Sequence, residues 1–544
     1  MKSKLWRAAT TFVVAGAVLA VVFAVMVPSL LRARIAGPRQ APYSSAPPAT
    51  MMPYSGAVAF ERQAGPRFDT EAYSHIVENA LLRVADHPLS TFSIDVDTAS
   101  YANVRRFLNT GRLPPKDAVR TEELVNYFGY DYPAPTGADP FSVTTEVAGC
   151  PWQAEHRLVL IGLQGRHIAE KELPPRNLVF LLDVSGSMNE PLKLPLVKSA
   201  MAMLADTLSE KDRVSIVVYA GASGLVLSPT PGDRKAEIRE ALQQLEAGGS
   251  TAGGAGIVLA YKVATEAFIP GGVNRVILAT DGDFNVGVTS DGELTRLIEE
   301  KRKSGVFLSV LGFGMGNLKD SKMEALADKG NGNYAYIDGV QEARKVLVEE
   351  AGGTLVTIAK DVKIQVEFNP ARVAAYRLIG YENRVLAAQD FNDDKKDAGE
   401  IGAGHSVTAL YEIVPAGQPV SAAAVDALRY QEARAATVAA SSDELMTLKL
   451  RYMDPDADAS KLLAVLVRDK GPAEASARLA WSSAVASFGM LLRDSEHKGS
   501  LDYARVKELA SRGLGPDPNG YRAEFVRLVG LAESLSGGQK VARN

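Results

Sequence analysis

One cysteine, Cys150, is all that 544 residues contain. An internal disulfide framework and a cysteine-rich zinc site both need more, so both are excluded. Catalytic signatures are missing as well. No Gly-x4-Gly-Lys-Ser/Thr phosphate loop occurs, and the six histidines (His75, His87, His156, His167, His405 and His497) form no His-Glu-x-x-His. Gly-x-Ser-x-Gly is also absent. A nucleophilic or zinc-dependent active site has no visible parts, and the chain reads as a non-enzyme. The formal net charge is only −4, which leaves no basic footprint, so nucleic acid is not expected as a partner.

What is present is ordinary globular composition, 46% hydrophobic and 23% charged, in a chain too long for one core. Two to four domains are expected. After Lys2, Lys4 and Arg7, no charged residue appears from Ala8 to Leu31, and 24 helical residues reach roughly 36 Å, enough to cross a bilayer. No small-x-small cleavage site follows convincingly, and the cysteine lies too far away for a lipid-modified signal. Residues 1–36 therefore read as an uncleaved single-pass membrane anchor. Arg32, Arg34 and Arg39 balance the basic residues ahead of the segment, so orientation rests on the short leading tail staying inside. The bulk of the chain is then periplasmic or extracellular. Residues 37–72 form a Pro/Ala/Ser-rich linker, as in Ser44-Ser-Ala-Pro-Pro48, which buries too little apolar surface to fold.

Order should resume near Tyr73, where Ile76, Ala80, Leu81 and Val84 recur at helical spacing. In residues 73–140 the phrase Phe92-Ser-Ile-Asp-Val-Asp-Thr-Ala-Ser-Tyr101 suggests a strand entering a helix, and Asp95 and Asp97 read as helix caps rather than metal ligands. Residues 141–172 alternate as antiparallel strands. From Asn177 the pattern becomes strand then helix, repeatedly. Strands fall at Asn177 to Asp183, Arg213 to Tyr219, Asn274 to Asp281, Val306 to Gly312 and Tyr334 to Ile337. Continuous apolar strands alternating with helices imply a doubly wound, mainly parallel α/β sheet over residues 173–352. Ligands in such sheets bind outside the carboxyl ends of the strands.

Asp183-Val-Ser185-Gly-Ser187 follows the first of these strands directly. One carboxylate and two hydroxyls at a sheet edge can hold a hard cation, although a helix cap uses the same residue types. The loop Gly248-Gly-Ser-Thr251-Ala-Gly-Gly-Ala-Gly256 can bring its backbone close and deliver the Thr251 hydroxyl, and Asp281 ends a later strand. Asp183, Ser185, Ser187, Thr251 and Asp281 form an all-oxygen set suited to magnesium, calcium or manganese. Asp283 reads as a surface or turn residue.

These residues resemble the metal-ion-dependent adhesion site of von Willebrand factor type A domains, from about Asn177 to Glu350. Within that class, Phe92 to Tyr130, Cys150-Pro-Trp-Gln-Ala-Glu-His-Arg157 and Thr280-Asp-Gly-Asp-Phe-Asn-Val-Gly287 are similar to a bacterial group. That group joins a von Willebrand factor-associated N-terminal segment to the domain and adds a C-terminal domain of unknown function. The resemblance implies that Ser185, Ser187 and Thr251 offer hydroxyls directly to the ion while Asp183 and Asp281 act largely through water. A carboxylate from a protein partner, Asp or Glu, would then complete the coordination.

Beyond the inserted region, residues 353–455 alternate as a β-sandwich, and their strands are expected to pair with those of residues 141–172. The run Asp454 to Ser460 lacks the Gly and Glu of a calcium loop and reads as a turn between a strand and a helix. Residues 456–544 read as helical, with Trp481, Val485, Phe488 and Leu492 on one face. Leu535-Ser-Gly-Gly-Gln539 copies a transporter ATPase signature by chance. The functional expectation is a membrane-tethered, metal-dependent protein-binding module. The alternatives are a metal-dependent hydrolase, for which only Asp283 offers itself as a base, and a cytoplasmic-facing adaptor for an ATPase complex.

Overall fold

Eight consecutive buried residues, Arg176–Asp183, make strand β5, and a strand with no solvent-facing side belongs at the centre of a sheet covered on both faces. The computed structural model describes residues 71–543 apart from 95–96, 250–252, 283–290, 352–354, 397, 422–425, 427–428, 431–435, 458, 470 and 472–473. The expected membrane anchor and nearly all of the expected linker therefore lie outside the described residues, as do Asp95, Thr251 and Asp283. Among the described residues no helix is long and apolar enough to cross a membrane.

β5 pairs in parallel with β6 (Arg213–Tyr219) on one side and β8 (Val273–Thr280) on the other. β9 (Val306–Phe313) and β10 (Tyr334–Ile337) extend the parallel sheet beyond β8. Successive β5 side chains enter opposite layers. Leu178, Phe180 and Leu182 share a buried cluster with residues of the helices Leu194–Asp206 and Lys235–Gln243, whereas Val179 and Leu181 share one with Gly253–Glu266 and its neighbours. The mixed α/β fold with a largely parallel sheet is thus present. An additional edge strand, β7 (Ser223–Pro231), pairs antiparallel with β6. Only Leu227 and Thr230 of its residues are buried, and with two prolines, Pro229 and Pro231, it escapes a reading based on apolar runs.

The remaining strands form two antiparallel sheets face to face. One has the order β1 (Leu82–Arg83), β12 (Val373–Ile379), β15 (Ser406–Pro415), β4 (Arg157–Gly165), β3 (Phe141–Gly149). The other has the order β13 (Val385–Leu386), β2 (Leu89–Ser93), β11 (Thr357–Phe368), β16 (Glu444–Met453), β17 (Lys461–Arg468), and β14 (Gly399–Gly402) also pairs with β11. Val159, Ile161, Leu163, Ile364, Val366, Leu448 and Leu450 lie in one buried cluster between the sheets. β4 pairs with β15 across the whole inserted region, Leu163 opposite Val407. The chain leaves the sandwich at Gly165 and returns beside it, since a β-carbon on Gly165 would lie 3.1 Å from Ile358 Cδ1.

Several local expectations are corrected. No helix forms between Glu71 and Leu81; the hydrogen-bonding groups of that stretch go elsewhere, Ile76 N–H to Asp117 and the Asn79 amide to the Leu378 and Gly380 carbonyls. Asp97 does not cap the helix Ala99–Asn109. Its Oδ1 accepts the Tyr334 N–H at 2.7 Å, and Glu123 takes the Ser100 N–H instead. β16 pairs antiparallel with β17, so the run after Asp454 leads into a strand rather than a helix and the sandwich extends to Arg468 rather than ending at residue 455. The apolar run Leu462 to Val467 carries no helical or strand periodicity that could separate the two readings.

The helices Ala477–Arg493, Tyr503–Gly513 and Tyr521–Arg543 follow. Trp481, Val485, Phe488 and Leu492 are all buried, but so are Leu479, Ala484, Ala486 and Met490, so this helix is enclosed nearly all round. Its neighbours include Leu158 and Leu160 of β4 and Tyr101, Leu124 and Phe128 of the N-terminal segment.

Candidate metal centre

In the strand order, chain connections depart in opposite directions from β5 and β8, and the carboxyl ends of strands at such a switch point are where sheets of this kind bind ligands. Asp183 ends β5 and Asp281 directly follows β8, and both are buried. The Asp183 carboxylate is held from three sides: Oδ1 accepts the Ser185 N–H at 2.9 Å, and Oδ2 accepts the Tyr219 hydroxyl at 3.1 Å and the Thr280 hydroxyl at 3.4 Å. Tyr219 is itself fixed because Gly256 lets the helix Gly253–Glu266 pack tightly on it; a β-carbon at Gly256 would sit 2.8 Å from Tyr219 Cβ. Burial, aided by the negative charge of Asp281, pushes Asp183 up to about 6 despite the hydrogen bonds from Ser185 and Tyr219.

A short turn, Gly186–Met188, follows Ser185 and brings the Ser185 and Ser187 Oγ atoms to 3.0 Å. The backbone of the glycine-rich loop is fastened to the same turn. Gly248 N–H donates to the Val184 carbonyl at 2.8 Å, and Gly186 N–H donates to the Gly249 carbonyl at 3.1 Å. Gly249 adopts φ +82°, a conformation suited to glycine. Asp183, Ser185, Ser187 and Asp281 are therefore brought together.

Asp281 has a neighbour that sequence reasoning missed. Lys193 Nζ lies 2.9 Å from Asp281 Oδ2, with the lysine side chain 4% exposed and the aspartate fully buried. Burial opposes ionisation of Asp281, but hydrogen bonds from Asn317, Lys193 and Ser187 and the lysine charge outweigh it and hold the carboxyl below its usual range. The lysine stem runs over Gly314, where a β-carbon would meet Lys193 Cε at 2.5 Å. The only hint in the sequence is a lysine set among apolar residues, Leu192-Lys193-Leu194-Pro195-Leu196.

The donor chemistry fits a hard divalent cation: two carboxylates of different basicity and two neutral hydroxyls, all oxygen. The Asn317 Oδ1 atom, on the residue that hydrogen-bonds Asp281, is buried without a hydrogen-bond partner among the described residues, as expected of an oxygen left for a cation or its water.

The fold and this constellation define a von Willebrand factor type A domain protein, and the sequence matches the family described as "von Willebrand factor type A domain" over residues 177–347. Residues 67–160 match "von Willebrand factor" and residues 353–535 match "Uncharacterized protein YfbK, C-terminal". The protein YfbK of Escherichia coli (strain K12) is 45% identical over 477 residues, covering 86% of this chain and 82% of that protein. The chain belongs to this YfbK family of bacterial von Willebrand factor type A domain proteins. Among solved structures it is similar to a von Willebrand factor type A protein from Catenulispora acidiphila, 15% identical with a TM-score of 0.40, covering 73% of this chain and 90% of that one. It is also similar to BatB from Bacteroides thetaiotaomicron, 22% identical with a TM-score of 0.28, covering 32% of this chain and 96% of that one.

Proposed function

We propose that this chain is a membrane-tethered protein whose inserted domain stands outside the cytoplasm and captures a protein partner through a divalent cation. Magnesium is the first candidate, with calcium and manganese able to serve. The observation that carries this reading is the Ser185 and Ser187 hydroxyl pair, 3.0 Å apart, beside the buried Asp183 at the switch point of the sheet. Thr251, two positions after Gly249 in the sequence, would add a third hydroxyl. A cation held mainly by neutral hydroxyls keeps much of its charge, so an Asp or Glu side chain of the partner is the natural remaining ligand. The uncharged stretch Ala8 to Leu31 supplies the tether.

The test is capture from the parent cell envelope with magnesium and with EDTA. Asp183→Ala should lose both cation binding and partner capture while its circular dichroism stays that of the wild type. Capture of the same partner by that variant in EDTA overturns the mechanism. A reporter fused after residue 544 that is active only in the cytoplasm overturns the external placement.

A further inference from the structure

We propose that Lys193 is a specificity-determining residue of the cation site: its ammonium neutralises Asp281, leaving Asp183 as the one uncompensated carboxylate facing the ion. This inference rests on the cation-dependent reading above and deepens it.

Three observations carry it. The Lys193 to Asp281 contact is 2.9 Å and shut away from water, so the charges are weakly screened and the pairing is strong. The lysine is built in rather than incidental. Its backbone N–H donates to the Glu190 carbonyl and its carbonyl accepts from Val197, which fixes its place at the start of the helix Leu194–Asp206, and Gly314 leaves the channel for its stem. Asp281 is further held by Asn317 and Ser187, so it is not free to turn away from the lysine toward an ion.

The consequence is a charge balance. Without the lysine, a divalent cation would be neutralised by Asp183 and Asp281, and an incoming carboxylate would find little field. With it, one positive charge stays on the assembly after the cation binds. Cation affinity falls, and the attraction for an external carboxylate rises by the same electrostatics. Cation and carboxylate then bind cooperatively, and an ion alone is held weakly. A second effect is selection against ions whose sites need several charged oxygens, which disfavours calcium relative to magnesium and manganese.

The test uses the whole chain and manganese as the probe, titrated by calorimetry with and without acetate. Lys193→Met keeps the stem in the Gly314 channel and removes the charge; it should bind manganese alone on the order of tenfold more tightly and lose the gain that acetate gives the wild type. Lys193→Arg should behave as the wild type. Asp281→Asn should weaken manganese binding on the order of tenfold, and the double variant Lys193→Met/Asp281→Asn should return it to near the wild-type value. Wild-type manganese affinity in Lys193→Met, or loss of binding in that variant with its fold retained, overturns the role of Lys193. Should Lys193→Met alone fail to fold, failure of the double variant to recover what Asp281→Asn loses overturns it. Undiminished manganese binding by Asp183→Ala instead overturns the cation site itself, so the two failures are distinguishable.

Discussion

Arg105 and Glu342, 237 residues apart in the chain, meet at 2.6 Å with their side chains only 5% and 1% exposed. The same guanidinium reaches Asp338, Glu524 and the Tyr127 hydroxyl, so one arginine of the N-terminal segment joins the end of the inserted domain to the last helix. Removing it leaves the buried Glu342 and the half-buried Asp338 without this cation. Arg105→Ala should lower unfolding free energy by about 3–5 kcal/mol, measured by urea denaturation at neutral pH.

Glu412 predicts an acid-dependent loss of stability. Burial alone would raise its pKa, but the hydrogen bond from His156 and the charge and hydrogen bonds of Arg377 prevail and bring it to about 2. A carboxyl depressed on folding stabilises above its unfolded pKa near 4.5, and that contribution fades as pH falls toward 2. Glu412→Gln should therefore be about 3 kcal/mol less stable than the wild type at pH 6, with the gap closing between about pH 4.5 and 2. A gap that stays constant over that range would refute the assignment.

Gly314 has φ +76° and lies against the Lys193 stem. Gly314→Ala adds both backbone strain and a collision, and should cost about 2 kcal/mol or more in chemical unfolding. Gly316, two residues on, has φ +90°, and a β-carbon there would meet nothing within 4 Å, so Gly316→Ala should cost only the backbone part, about 1 kcal/mol.

Glu71 clasps the loop that carries Asn317, a hydrogen-bond partner of Asp281. Its Oε1 accepts both the Arg106 guanidinium, at 2.6 Å, and the Gly316 N–H, at 2.8 Å, and the Ala72 N–H donates to the Leu318 carbonyl. Glu71→Ala should speed hydrogen exchange at the Gly316 amide by at least about tenfold while leaving amides of β5 unchanged, read by mass spectrometry or NMR.

Much of the inserted domain is legible in the sequence because parallel strands buried on both faces appear as unbroken apolar runs, and because Asp183, Ser185, Ser187 and Asp281 sit at strand ends that such runs define. β7 and β17 are not: both are edge strands whose residue types do not alternate, and in β17 apolar residues such as Leu462 and Leu466 occupy the exposed positions as well as the packed ones. Asp97 misleads because its partner, the Tyr334 N–H, is 237 residues away and no local rule can find it. Lys193 escapes for a related reason. A single lysine among leucines is informative only once Asp281 is seen facing it, and that meeting is made by the sheet, not by spacing.

The insertion also sets a clock. Gln164 at the end of β4 hydrogen-bonds Gly404, 240 residues later, which at about 5–20 residues per second takes roughly 10–50 s to synthesise. Helices and parallel strands complete themselves far faster than that. Through this interval β4 keeps one edge unpaired, an invitation to strand exchange between neighbouring nascent chains. The inserted domain is thus born folded on an unfinished sheet, and the vulnerable period in the life of this protein is set by its length.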